Sequence, residues 1–138
     1  YVQPDGSPAL SMYDTDGNQR AWLTVQPDGS PALALTDNAQ KTRAWLNVQP
    51  DGSPALVLKD AAGKQRAMLG VLDDGNPGLV LKNSAEEIQA ALGVSDGSPG
   101  LMLTDPAGKA GVIAGVFGDG GPTVLLTDAA ERTIWKAP

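Results

Sequence analysis

The sequence contains no cysteine and no histidine. Their absence excludes disulfides, thiolate nucleophiles, zinc sites of the Cys/His kind and histidine-based triads. Aromatic residues make up 4% of the chain, with a single Phe, so few large rings are available to fill an interior. No run of about 18 apolar residues is present, which excludes a transmembrane helix. Positive charge is also short. Ten Lys and Arg against 16 Asp and Glu leave a net charge of −6, which disfavours nucleic acid or an anionic membrane as a partner. We expect no nucleic-acid partner, no transmembrane segment, no cofactor and no metal. The chain begins at Tyr1 rather than Met, and no signal or lipidation motif is legible.

Glycine (17) and proline (11) are plentiful, and both recur at fixed positions. A block typified by Val25-Gln-Pro-Asp-Gly-Ser-Pro-Ala-Leu33 starts at Val2, Val25, Val48, Val71, Val94 and Val116, at a spacing of 23 residues with one of 22. The chain is therefore one repeat domain, 1–138, with copies 2–24, 25–47, 48–70, 71–93, 94–115 and 116–138. Its size predicts burial of roughly two thirds of the unfolded surface.

Each copy carries two short apolar runs separated by two turn signals. Pro50-Asp51-Gly52 has the composition of a tight hairpin loop: Pro sets φ for a type I turn, Asp tolerates the next position and Gly takes the left-handed one. Asp60-Ala-Ala-Gly63 and Asp105-Pro-Ala-Gly108 repeat that logic. The apolar runs are too short for helices and alternate with the two-residue period of half-buried strands. One face of the first strand is uniformly apolar: Leu10/Met12, Leu33/Leu35, Leu56/Leu58, Leu79/Leu81, Leu101/Leu103 and Val124/Leu126. The second strand continues it with Ala21/Leu23/Val25 and equivalents. The opposite face drifts, from Arg20/Trp22 and Arg43/Trp45 through Arg66/Met68 to Gly111/Ile113. The uniform face is expected to be the core and the drifting face the surface.

Twelve strands in six hairpins follow. An open sheet would leave two exposed edges, so a shallow, closed, 12-stranded antiparallel barrel satisfies the pattern most simply. A β-solenoid and a β-trefoil are alternatives. The trefoil predicts a period near 46 residues, whereas odd and even copies look alike. In the last copy Asp128-Ala-Ala-Glu131 lacks the turn glycine, and Trp135 sits one residue early relative to Trp22 and Trp45. Its face is open, because a one-residue slip reverses it.

The unit Gly52-Ser-Pro-Ala-Leu-Val-Leu-Lys-Asp60-Ala-Ala-Gly-Lys64-Gln-Arg66-Ala-Met-Leu69 resembles the repeat of bacterial β-flower proteins. The resemblance covers the whole chain, best in the first three copies. It implies a shallow symmetric barrel whose hairpins spread like petals around an apolar channel, and it implies no catalysis.

The aspartates read as turn residues. Asp14-Thr-Asp-Gly17 is too short for a calcium loop, and Asp73-Asp74 beside Gly75 has the same turn explanation. Gly118-Asp-Gly-Gly121 lacks the Lys-Ser/Thr and helix of a phosphate loop. We therefore expect no enzyme. Two candidate sites remain. The leucines, Met12 and Val124 named above would line a channel for an apolar small molecule or lipid. Arg20, Trp22, Arg43, Trp45, Arg66 and Met68, with Trp135 if its register allows, form a surface arc suited to sugar or to another protein, self-association included.

Overall fold

The computed structural model describes all residues except Asp73, Asp119 and Pro138, and omits the side chain of Ala110. Twelve strands follow one another: β1 (Ala9–Tyr13), β2 (Gln19–Val25), β3 (Pro31–Thr36), β4 (Thr42–Val48), β5 (Pro54–Lys59), β6 (Gln65–Val71), β7 (Pro77–Lys82), β8 (Ile88–Ser95), β9 (Ser98–Thr104), β10 (Ala110–Phe117), β11 (Gly121–Thr127) and β12 (Thr133–Ala137). They form one 12-stranded sheet in sequence order, every pair antiparallel. This is neither a solenoid, which pairs its coils in parallel, nor a trefoil, which divides its hairpins between barrel and cap.

The expected closure is not seen. Among the described residues no ladder joins β1 to β12, and each strand contacts only its sequence neighbours. The sheet thus has two edges. Among the described residues no large side chain is fully buried, and the buried apolar residues are three alanines, Ala21, Ala32 and Ala34. The accessible surface is 8465 Å², against roughly 6,700 Å² for a compact monomer of 14.1 kDa. The expectation of a packed interior is therefore corrected: this is a single layer.

The turns are as their residues dictate. In the first loop Gly29 N–H donates to the Gln26 carbonyl and Gln26 N–H to that of Ser30, at 2.8 and 2.9 Å. Gly29 has φ of 88°, and the Asp28 carboxylate accepts the Ser30 N–H. Copies one and three match. Copy five has the shorter spacing because its loop is only Asp96-Gly97, both at positive φ between the paired Ser95 and Ser98. That is the two-residue hairpin an Asp-Gly pair favours.

The second loop brings out an alternation hidden in the repeat. Its left-handed position is Gly17, Gly63 and Gly108 in odd copies but Gln40, Glu86 and Glu131 in even ones, with φ of 59°, 67° and 61° for the latter three. Side chains in that region cost about 1–2 kcal/mol, which glycine avoids. Gln40→Gly is expected to stabilise the fold by somewhat under 1 kcal/mol, since glycine also gains freedom when unfolded. Urea denaturation measures the gain, and Gly63→Ala should lose stability in the same assay.

Candidate functional site

Register assigns every strand side chain to one of two faces. On the first, Leu10, Leu23, Leu33, Leu46, Leu56, Leu69, Leu79, Leu92 and Leu101 stand opposite one another in an unbroken row, continued by Ala114, Val124 and Ala137. Beside it runs Met12, Ala21, Leu35, Ala44, Leu58, Ala67, Leu81, Ala90, Leu103, Val112, Leu126 and Trp135. All the leucines predicted to line a channel thus share a face, yet they line no channel. Leu10, Leu69 and Leu92 are 62%, 53% and 54% exposed. The uniform face taken for the core is open to water, because no second layer covers it.

Trp135 belongs to this leucine face. It pairs with Leu126, as Ala44 pairs with Leu35, and is half exposed. The last copy has no deletion between Asp128 and Trp135. Ile134 takes the arginine position and Lys136 the tryptophan position, so Trp135 never joins Trp22 and Trp45.

The second face carries Ser11, Trp22, Ala34, Trp45, Val57, Met68, Val80, Ala91, Met102, Ile113, Leu125 and Lys136 in one row. Trp22 and Trp45 lie on alternate strands and close over Ala34, which is completely buried. Their centroids are 6.3 Å apart at an interplanar angle of 65°. Only a small residue between them permits that edge-to-face contact. The pair is a packing unit, not the flat platform that sugar stacking needs.

The arginines are committed to their neighbours. Arg43 Nε donates to Asp37 Oδ2 at 2.7 Å, while Nη1 and Nη2 reach the carbonyls of Asp60 and Ala61 in the next copy. Arg20 links Asp14 to the Asp37 carbonyl, and Arg66 links Asp60 to the Asn83 carbonyl. Gln89 takes over with a 2.8 Å bond to the Asp105 carbonyl, and Lys109 Nζ reaches the Ala129 carbonyl at 3.0 Å. A relay thus ties each second loop to the one beyond it. Sequence reading placed Arg20, Arg43 and Arg66 correctly as equivalents. It missed their acceptors because these are backbone carbonyls 17 residues away.

The relay holds its carboxylates ionised. Asp14 lies below the ordinary 3.8 chiefly because the Asn18 N–H donates to it, with Arg20 adding. Asp37 is lowered first by the Lys41 N–H and then by Arg43. At Asp60 partial burial pushes upward, and Arg66 and the Lys64 N–H outweigh it. No three carboxylates converge on a metal position among the described residues.

A depression of about 420 Å³ beside Trp45 is lined by Thr42, Val57, Lys59 and Gln65 as well, and a more apolar one lies over β7–β10. A third row on the second face reads Ala9, Thr24, Ala32, Asn47, Ala55, then Gly70, Gly78, Gly93, Gly100 and Gly115. Phe117 folds back over the last two: a Cβ on Gly115 would stand 2.5 Å from its ring and one on Gly100 3.5 Å. Between Phe117 and the walls formed by Val80, Ala91, Met102 and Ile113 is a depression of about 300 Å³, its floor including Gly78, Gly93 and Gly100. Ser95 and Ser98 stand at its edge and no charged residue lines it. The sequence signal was available: from Gly70 to Gly115 Gly occupies a strand position that holds Ala, Thr or Asn in the first two copies.

No family model and no curated protein matches the chain. Among solved structures it is similar to the wild-type TCP10 domain of Danio rerio CPAP, at 14% identity, TM-score 0.23 and coverage of 99% of this chain and 98% of that one. A point mutant of that domain gives 17% identity, TM-score 0.24 and coverage of 99% and 97%. Superposition this loose assigns neither fold nor role.

Because the folded carboxylates are lowered, their contribution is present above the unfolded pKa and is lost as pH falls through the folded values. Stability should be flat above about pH 5 and decline below about pH 4. Arg43→Gln should flatten that decline and lower the melting temperature more than Lys59→Gln does. Equal effects of the two substitutions would show that the relay is not cohesive.

Proposed function

We propose that the chain is a non-enzymatic binding module for an uncharged apolar ligand, such as a small ring compound or an acyl chain, seated in the depression over β7–β10. The observation that carries this reading is the run of strand glycines beneath it. Glycine within a strand costs about 0.5–1 kcal/mol relative to alanine, and such positions mark close approach of a ligand or another backbone. Gly115 is accounted for by the Phe117 ring, and Gly93 by the Pro77 carbonyl, 3.0 Å from where its Cβ would stand. Gly78 has no atom closer than 3.9 Å to where its Cβ would stand, so no steric demand within the chain explains it.

Size and chemistry agree. About 300 Å³ is at the lower end of small-molecule sites, which are mostly apolar with a few polar groups that orient the ligand. Met102 adapts its shape to a ligand, Phe117 offers a ring face, and the Ser95 and Ser98 hydroxyls suit a terminal hydroxyl or carbonyl. The likeness of the repeat to β-flower proteins supports an apolar ligand, although the ligand's seat is a glycine floor rather than a ring of leucines. Catalysis has no place in the reading, because Asp14, Asp37, Asp60 and Asp105 are engaged with loop N–H groups.

Titration with a fluorescent fatty acid and with naphthalene-type probes tests this. Uptake of one equivalent at micromolar concentration is expected. Gly78→Val, which fills the floor while favouring the strand, should weaken binding at least about tenfold and leave the melting temperature unchanged or raised. Absence of uptake, or uptake undiminished in Gly78→Val, overturns the proposal.

A further inference from the structure

The leucine face is a second surface, separate from the glycine-floored depression. We propose that it is covered by the same face of a second copy of this chain, stacked with the strands reversed. Three observations lead there.

The first is its chemistry. Beside the two rows already described runs a third, in which Val25 pairs with Pro31, Val48 with Pro54, Val71 with Pro77, Val94 with Pro99 and Val116 with Pro122. No position in the three rows is Asp, Glu, Lys or Arg. Soluble monomers rarely expose apolar patches beyond a few hundred Å².

The second is area. Twelve strands about 4.8 Å apart, each contributing some 17 Å of length, make a face of roughly 980 Å². Two such faces in full contact remove about 1,960 Å² from water, within the roughly 1,200–2,000 Å² of a stable interface. Leu46, Leu69 and Leu92, each about half exposed, would gain the core that a single layer cannot supply. Paired sheets packed this way form a sandwich about 10 Å deep.

The third is charge, which selects both the occupant and its orientation. The loops at one end of the strands carry Asp5, Asp28, Asp51, Asp74 and Asp96 and no Lys or Arg. The loops at the other end carry Lys41, Lys64, Lys109 and Arg132 among Asp14, Asp16, Asp37, Asp60, Glu86, Glu87, Asp105, Asp128 and Glu131, and Arg20, Arg43, Lys59, Arg66 and Lys82 at the adjoining strand ends bring that end to neutrality. A two-fold axis running along the sheet, from β1 towards β12, sets the acidic end of each copy over the neutral end of the other. A two-fold axis parallel to the strands would set the acidic ends together. An anionic bilayer is disfavoured by the same acidic rim.

Sedimentation equilibrium of the wild-type chain should give twice 14.1 kDa, and Leu46→Lys with Leu69→Lys should give a monomer with an unchanged far-UV spectrum. Orientation is read from Gln49→Cys and Ala62→Cys, made separately in this cysteine-free chain, mixed and treated with a short bismaleimide. Mixed cross-links without self-links support reversed stacking. Self-links within each variant overturn that orientation. A wild-type monomer overturns the dimer, as does a monomer that pellets with zwitterionic vesicles, which would make lipid the occupant. Ligand uptake by the Leu46→Lys/Leu69→Lys monomer keeps this test independent of the apolar-ligand reading.

Discussion

A sheet with no second layer has to be held together within its own plane. In most domains the two faces of a sheet are covered, and burial of large side chains supplies the dominant favourable term. Here the buried apolar residues are alanines, and cohesion falls to two in-plane devices. One is the antiparallel ladder, continuous through all twelve strands. The other is the loop relay, in which an arginine satisfies its own carboxylate and a carbonyl of the next copy. A charged donor shared between adjacent copies is the nearest-neighbour coupling that a repeat array needs, since each copy meets only those beside it.

The loops and strands were legible because their causes are local. Pro-Asp-Gly fixes a turn wherever it stands, and alternation of Leu with drifting residues fixes a strand. What was not legible depends on what lies across from a residue. The uniformity of Leu10, Leu33 and Leu56 identified a shared face but not its burial, because burial is decided by whether anything covers that face. Closure was inferred from the cost of free edges, a real cost that this chain bears with β1 and β12. The face of Trp135 was left open for a different reason. Its distance was counted against Trp22 and Trp45, whereas the bulge after Asp128 sets the register, and counting from that loop places Trp135 where Ala44 stands.

The copies have diverged along a gradient, and each face records a different part of it. On the second face the large residue shrinks from Trp22 and Trp45 to Met68 and Ala91, while the adjoining row passes from Ala32 and Ala55 to Gly78 and Gly93. The relay weakens over the same stretch, from arginine to Gln89 and then to Lys109. The first face keeps its apolar rows through all of this. Drift therefore concentrates on the side where side chains have been withdrawn, which leaves the depression beside Phe117, and spares the leucine side.

The two proposals support each other physically. A glycine-rich stretch of sheet is intrinsically weak, since each glycine forfeits side-chain packing and gains freedom on unfolding. In a single layer nothing above or below compensates for that loss. A layer stacked against the leucine rows of β7–β10 stiffens those strands from behind while their other side stays bare. The apolar rows then do more than hide from water. In the proposed dimer they let the opposite side keep a floor without side chains, and with it the room for the proposed ligand.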